Sequence, residues 1–138
     1  MNIDSIKKGI VIDHIRAGYS MTIYNLLRLD QLNCTIAIIK NVKSKKMIRK
    51  DIIKIDELIE IDLNILGYID PNITVNIIVG DHIVEKKHLS TPEEITGVLR
   101  CNNPRCITTT EQSLKHVFKL SDLESKTYRC LYCEAERK

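Results

Sequence analysis

Four of the five cysteines crowd into the last 38 residues, at Cys101, Cys106, Cys130 and Cys133. Their spacing is C-x4-C, then 23 residues, then C-x2-C. A close pair of cysteines lets the backbone curl so that both thiolates converge on one ion, and two such knuckles complete a tetrahedral four-sulfur site. Disulfides and buried free thiols are the alternatives. The opening residues, MNIDSIKK, hold neither a long apolar run nor a small-residue cleavage site, so the chain is expected to stay in the cytoplasm. There thiols remain reduced, and clustered cysteines favour a metal. Four thiolates leave no open coordination position, so one structural zinc ion is expected. Cys34 lies near the start of an expected strand without a partner in sequence and reads as a small buried hydrophobe.

No other constellation points to catalysis. No nucleophile stands beside a suitable base, and five glycines in 138 residues are too few for a glycine-rich phosphate loop. The 21 basic and 18 acidic residues leave a net charge of +3, too mild to make nucleic-acid binding the default. A zinc-ribbon protein that binds nucleic acid remains the alternative, with Lys43, Lys45, Lys46, Arg49 and Lys50 as its basic stripe. Single-strand readers join such a stripe to stacking aromatics, and one Phe, five Tyr and no Trp leave few to spare. No apolar run approaches the roughly 18 residues that a membrane span needs.

The elements that must position these residues are legible from periodicity. Twenty-three isoleucines against 4% aromatic residues predict an aliphatic, β-branched core that favours strands. KGIVIDHI, from Lys8 to Ile15, reads as a first strand closed by Ala17-Gly18. From Tyr19 to Asp30 the apolar period lengthens, with Tyr19, Ile23, Leu26 and Leu27 forming one stripe of a helix. Thr35 to Val42 and Met47 to Ile55 predict a hairpin, and DLNILGYI from Asp62 predicts a second helix ended by Pro71. ITVNIIV and HIVEKK follow as strands joined by the turn dipeptide Gly80-Asp81. The order β-α-β-β-α-β with one extra strand predicts an α+β class. It is the ferredoxin-like plan, an antiparallel sheet with helices on one face. That domain is expected at 1–90. A linker through Ser90-Thr91-Pro92 and EEITGVL then leads to a small β-rich, zinc-ribbon-like four-cysteine domain within 91–138. Some 48 residues bury too little surface to fold alone, so the ion is expected to supply the missing stability.

Four blocks, GIVIDHI near the start, RKDIIKI at 49–55, PNITVNII at 71–78 and the spaced cysteines, together resemble the regulatory chain of aspartate carbamoyltransferase. The resemblance covers nearly the whole chain. It implies an N-terminal allosteric domain that binds nucleoside triphosphates of the CTP, ATP or UTP type, and a zinc domain that docks on a separate catalytic chain. It also implies a regulatory dimer within an assembly of catalytic trimers and regulatory dimers, acting on the first committed step of pyrimidine biosynthesis. By that resemblance Asp13 is expected near the ribose, His14 and Lys86 near the phosphates, and Lys54 near the ribose and base. Lys50 is an additional lysine close by, and Ile6 and Ile83 offer backbone groups and an apolar wall to the base. Asn103, Arg105, Tyr132 and Glu134 are matched to the catalytic-chain interface. The family has an aromatic residue near the position of Asp81 or His82, and an Asn is expected where Arg105 stands.

Overall fold

Along β1 (Lys8–Arg16) alternate side chains turn inward, and Ile10 and Ile12 are buried there together with Ile15. The chain then runs through α1 (Ser20–Leu26), β2 (Ile36–Lys43), β3 (Arg49–Ile55), α2 (Leu63–Ile69), β4 (Thr74–Val79) and β5 (His82–His88). These strands form one antiparallel sheet in the order β2-β3-β1-β4-β5. This is the expected ferredoxin-like order, with the extra strand added beside β4. Ile53 and Ile55 of β3, Val75 of β4, Ile73, Ile23 of α1 and Leu66 of α2 join the β1 isoleucines in one core. Both helices therefore cover the same face. Burying each such side chain stabilises by about 1.5–3 kcal/mol.

The structure is a computed structural model that describes residues 7–137. These residues fall into two units divided between Ser90 and Thr91. Among the described residues no helix is long and apolar enough to cross a membrane.

Several boundaries differ from the periodicity reading. The first helix does not continue from Tyr19 to Asp30: α1 ends at Leu26, Arg28 takes a left-handed φ of 54°, and Leu29–Gln31 forms a separate 3-10 turn. The break lets Leu29 enter the core, while Tyr19 is left exposed. At α2 the Asp62 side chain accepts the N–H groups of Asn64 and Ile65 at 3.0 and 3.3 Å, a side-chain cap, and Pro71 follows the end. Gly80 and Asp81 both have positive φ, 62° and 65°, as a tight hairpin of the primed type requires. Cys34 is half-buried two residues ahead of β2. Its thiol is raised by burial and further by Glu57.

β1 carries one irregularity. Its register with β3 shifts between Ile12 and Ile15, so Asp13 and His14 form a bulge in which His14 adopts φ 59°. A second shift, between Ile39 and Val42, sets Asn41 at φ 63° in β2. Between them lies Asp51 of β3, fully buried. Its carboxylate accepts the N–H groups of Gly18 at 3.1 Å, Ser20 at 3.3 Å and Asn41 at 2.9 Å. One charge thus joins the turn after β1, the start of α1 and the β2 bulge.

The second unit is a smaller antiparallel sheet, β6 (Glu94–Thr96), β7 (Val117–Asp122), β8 (Thr127–Cys130) and β9 (Glu136–Arg137), with a short helix α3 (Ile107–Thr110). The segment EEITGVL, expected as linker, contributes β6, because Ile95 is buried there. Besides the cysteines, the large apolar side chains buried among its described residues are Ile95, Leu99, Phe118 and Tyr128. The Tyr128 hydroxyl donates to the Pro92 carbonyl at 2.6 Å.

Burial raises the Asp51 carboxyl, but the N–H donors, Asn41 foremost, outweigh it and hold the group below its ordinary value. The unfolded chain therefore takes up this proton first. Asp51 stabilises the fold above the ordinary aspartate value of about 3.9, and that contribution is lost as pH falls through the lower folded value. Asp51→Asn is expected to lower stability at pH 7 by on the order of 2–3 kcal/mol, since hydrogen bonds to a charged acceptor are the strong ones. Urea unfolding between pH 7 and pH 3 checks this. The variant should show a shallower acid decline than the parent, and an unchanged decline would show that Asp51 contributes none of it.

Candidate metal centre and polar sheet face

In the second unit the sulfurs of Cys101, Cys106, Cys130 and Cys133 lie within 4.8 Å of one another. The Cys101–Cys133 separation is 3.4 Å and the Cys106–Cys130 separation 3.7 Å. A tetrahedral ion with sulfur ligands at about 2.3 Å spaces its ligands by about 3.8 Å, so the cluster has the size of a single four-thiolate centre. All the cysteines are free of disulfides. The sequence shapes each knuckle locally. In the first, Asn103 turns its side chain inward to accept the Arg105 N–H at 3.0 Å, and its carbonyl accepts the Cys106 N–H at 3.1 Å. In the second, the Glu134 N–H returns to the Cys130 carbonyl at 2.9 Å, with Glu134 at φ 63°.

Without an ion these thiols compete for charge. Burial pushes Cys101 up to about 12, while the Thr108 hydroxyl at 3.0 Å draws Cys106 down to about 6. A divalent cation removes the conflict by stabilising all four thiolates together. The donor set fits a resident metal, and full coordination by protein leaves it no catalytic position. Around the knuckles Arg105, Tyr132 and Glu134 are exposed, as are the apolar Ile107 and Leu131.

In the first unit the sheet face away from the helices is polar. Strand pairing sets it out in three rows. Ile83, Ile78 and Gly9 form one; Lys86, Asn76, Val11 and Lys54 form the next; Thr74 and Asp13 form the third. Rows two residues apart lie about 6.7 Å apart along a strand. The third row is tightly connected. Lys50 Nζ meets Asp13 at 2.9 Å, the His14 N–H donates to the Asp13 carboxylate at 2.6 Å, and the His14 ring Nδ1 lies 2.9 Å from the Thr74 hydroxyl.

The electrostatics of this row follow from crowding by cations. Burial raises Asp13, but the Lys50 and His14 donors and the Lys50 charge outweigh it and keep the carboxylate ionised. His14 is lowered by burial first and then by Lys50, Lys46 and Lys86, against the opposing pull of Asp13. Lys50, Lys46 and Lys86 thus disfavour the charged form of the imidazole between them. The face also holds a buried Asn76 whose Oδ1 has no hydrogen-bond partner. Buried polar atoms in native proteins are normally paired, so this acceptor is available to a ligand donor.

Of the residues expected at a nucleotide site, Asp13, His14, Lys50, Lys54, Ile83 and Lys86 share this face or its bulge. Ile6 lies outside the described residues. Sequence reasoning missed Thr74, Asn76 and Lys46. For Thr74 and Asn76 a signal existed, since both are polar residues two apart inside the apolar strand TVNIIV. Lys46 had been placed only in the basic stripe of the nucleic-acid alternative. In the fold that stripe is divided: Lys50 is committed to Asp13, and Arg49 donates to the Asn41 carbonyl at 3.3 Å.

Two family models match the chain: the aspartate carbamoyltransferase regulatory chain allosteric domain over residues 1–90, and the metal binding domain of the same regulatory chain over residues 93–138. The aspartate carbamoyltransferase regulatory chain of Clostridium acetobutylicum is 48% identical over 134 residues, 97% of this chain and 92% of the relative. That of Clostridium tetani is 50% identical over 135 residues, 97% and 94% of the two chains. That of Bifidobacterium longum is 44% identical over 138 residues, 100% and 99% of the two. With both halves matched and four-sulfur geometry in the half that the second model describes, the chain belongs to the family of aspartate carbamoyltransferase regulatory chains, which are non-catalytic subunits.

Proposed function

We propose that this chain is the nucleotide-sensing subunit of an aspartate carbamoyltransferase, tuning the first committed step of pyrimidine biosynthesis in the cytoplasm. Residues 1–90 bind a nucleoside triphosphate of the CTP, ATP or UTP type, and residues 91–138 hold one zinc ion and dock on the catalytic chain. The observation that carries the reading is the three-row sheet face. Its apolar row suits a base, and its second row offers donors and an unpaired acceptor at Lys54 and Asn76 for ribose and base, with the Lys86 ammonium at the other end of that row for phosphates. Ammonium groups bind phosphate as point charges, and a chain without a glycine-rich loop must use them. Asp13 then serves a double role, orienting Lys50 and the backbone of His14 while accepting from ribose hydroxyls.

Docking is assigned to Asn103, Arg105, Tyr132 and Glu134, with the exposed apolar Ile107 and Leu131 of the same two knuckle segments. The chain also pairs with itself through a sheet edge, which β2 or β5 offers. It thus enters an assembly of catalytic trimers and regulatory dimers.

Mixing the purified chain with catalytic trimers of aspartate carbamoyltransferase tests the reading as a whole. A larger complex whose activity responds to CTP and ATP is expected, and no complex would overturn it. Lys86→Ala should cost about 1.5–3 kcal/mol of nucleotide binding, a roughly ten-fold or greater loss of affinity by calorimetry. Lys54→Ala should lose affinity and also discrimination among nucleotides; unchanged affinity in both variants would move the effector elsewhere. Cys101→Ser or Cys130→Ser should abolish the one equivalent of zinc, measured by elemental analysis, and with it docking, while nucleotide binding persists. Docking that survives metal loss would refute the structural role.

A further inference from the structure

The two knuckles are unequally supported. The second spans two residues between its cysteines and closes on itself at the β8–β9 turn, where the Cys130 N–H also donates to the Ala135 carbonyl at 3.0 Å. The first spans four residues, and beyond its Asn103 turn it is held by two further side chains. The ring Nδ1 of His116 accepts the Cys101 N–H at 3.0 Å. The buried Thr108 hydroxyl lies 3.0 Å from the Cys106 sulfur, whereas the neighbouring Thr109 and Thr110 are exposed and donate to the Asn103 and Ile107 carbonyls.

His116 is itself well anchored. Its carbonyl accepts the Gly97 N–H at 2.9 Å, and the next carbonyl, of Val117, accepts the Leu131 N–H at 2.8 Å inside the second knuckle. One dipeptide at the start of β7 therefore touches both halves of the site, one through a ring and the other through its backbone. Because Nδ1 accepts, Nε2 carries the proton of the neutral ring.

We propose that His116 and Thr108 are positioning residues of the metal centre: the His116 ring fixes the backbone of Cys101, the Thr108 hydroxyl donates to the Cys106 thiolate, and together they hold the wide knuckle on the ion. This rests on the metal reading of the four sulfurs. Groups that hydrogen-bond to metal ligands orient them and tune their donor strength, and their loss typically weakens metal binding by about 10- to 100-fold. The hydroxyl also draws charge from one sulfur, which makes that thiolate a poorer nucleophile than its neighbours.

The test uses the full zinc-loaded chain and four variants, Thr108→Val, Thr108→Ser, His116→Phe and His116→Asn, whose amide oxygen stands where Nδ1 does. The first and third remove the donor or acceptor at similar volume; the other two restore it. In competition with a chromogenic chelator, Thr108→Val and His116→Phe should lose metal about ten-fold or more readily. Thr108→Ser and His116→Asn should stay close to the parent. Cobalt-loaded Thr108→Val should show a shifted sulfur-to-metal absorption band, and Thr108→Ser should not. Parent-like metal retention in both Thr108→Val and His116→Phe would overturn the proposal while leaving the metal reading intact. A parent chain that binds neither zinc nor cobalt would overturn both. If a removal variant does not fold, the restoring variant decides, since its failure to hold metal would show that volume and not the hydrogen bond matters.

Discussion

A single buried carboxylate organises the first unit. Asp51 stands where the sheet departs from its two-residue period on both sides, and its three N–H partners come from the turn after β1, the start of α1 and the β2 bulge. An unpaired charge there would be costly, so the three segments are stabilised in the arrangement that brings their N–H groups to it. Lys50 is its immediate neighbour and points to the opposite face, where it meets Asp13. The interior anchor and the ion pair outside are thus two consequences of one strand's alternation. The bulge that turns His14 toward Thr74 completes the link.

Much of this was legible in the sequence because isoleucine alternation and turn dipeptides are local signals. The order of strands and helices followed from them, as did the cysteine knuckles. What escaped was non-local. The break after Leu26 depends on Leu29 finding space in a core assembled by three strands, which no helical period encodes. β6 escaped because three residues carry almost no periodicity; it is a strand only because β7 pairs with it. Asp51 reads in sequence as one more charge in RKDIIKI, and its burial becomes visible only when Gly18 and Asn41 are brought beside it. Asn76 was visible as a polar residue in an apolar strand, but its unpaired oxygen belongs to the folded state.

The two units reach stability by different physics. The first has a continuous aliphatic core shared by two helices and three strands. The second buries only a few large side chains and a four-sulfur cluster of the size that a metal ion fits.

The distribution of rings has an optical corollary. Of the described aromatic side chains, Tyr128 and Phe118 are the two fully buried ones, and both lie in the second unit, with the Tyr128 phenol held on the Pro92 carbonyl. Tyr19 of the first unit is exposed, Tyr24 is half-buried, and Trp is absent. Near-ultraviolet dichroism, which needs rings held rigidly, should therefore report mainly on the sulfur-bearing unit, while the amide signal in the far ultraviolet is carried mainly by the larger isoleucine sheet. The chain thus has a separate spectroscopic reporter for each half, without any added label.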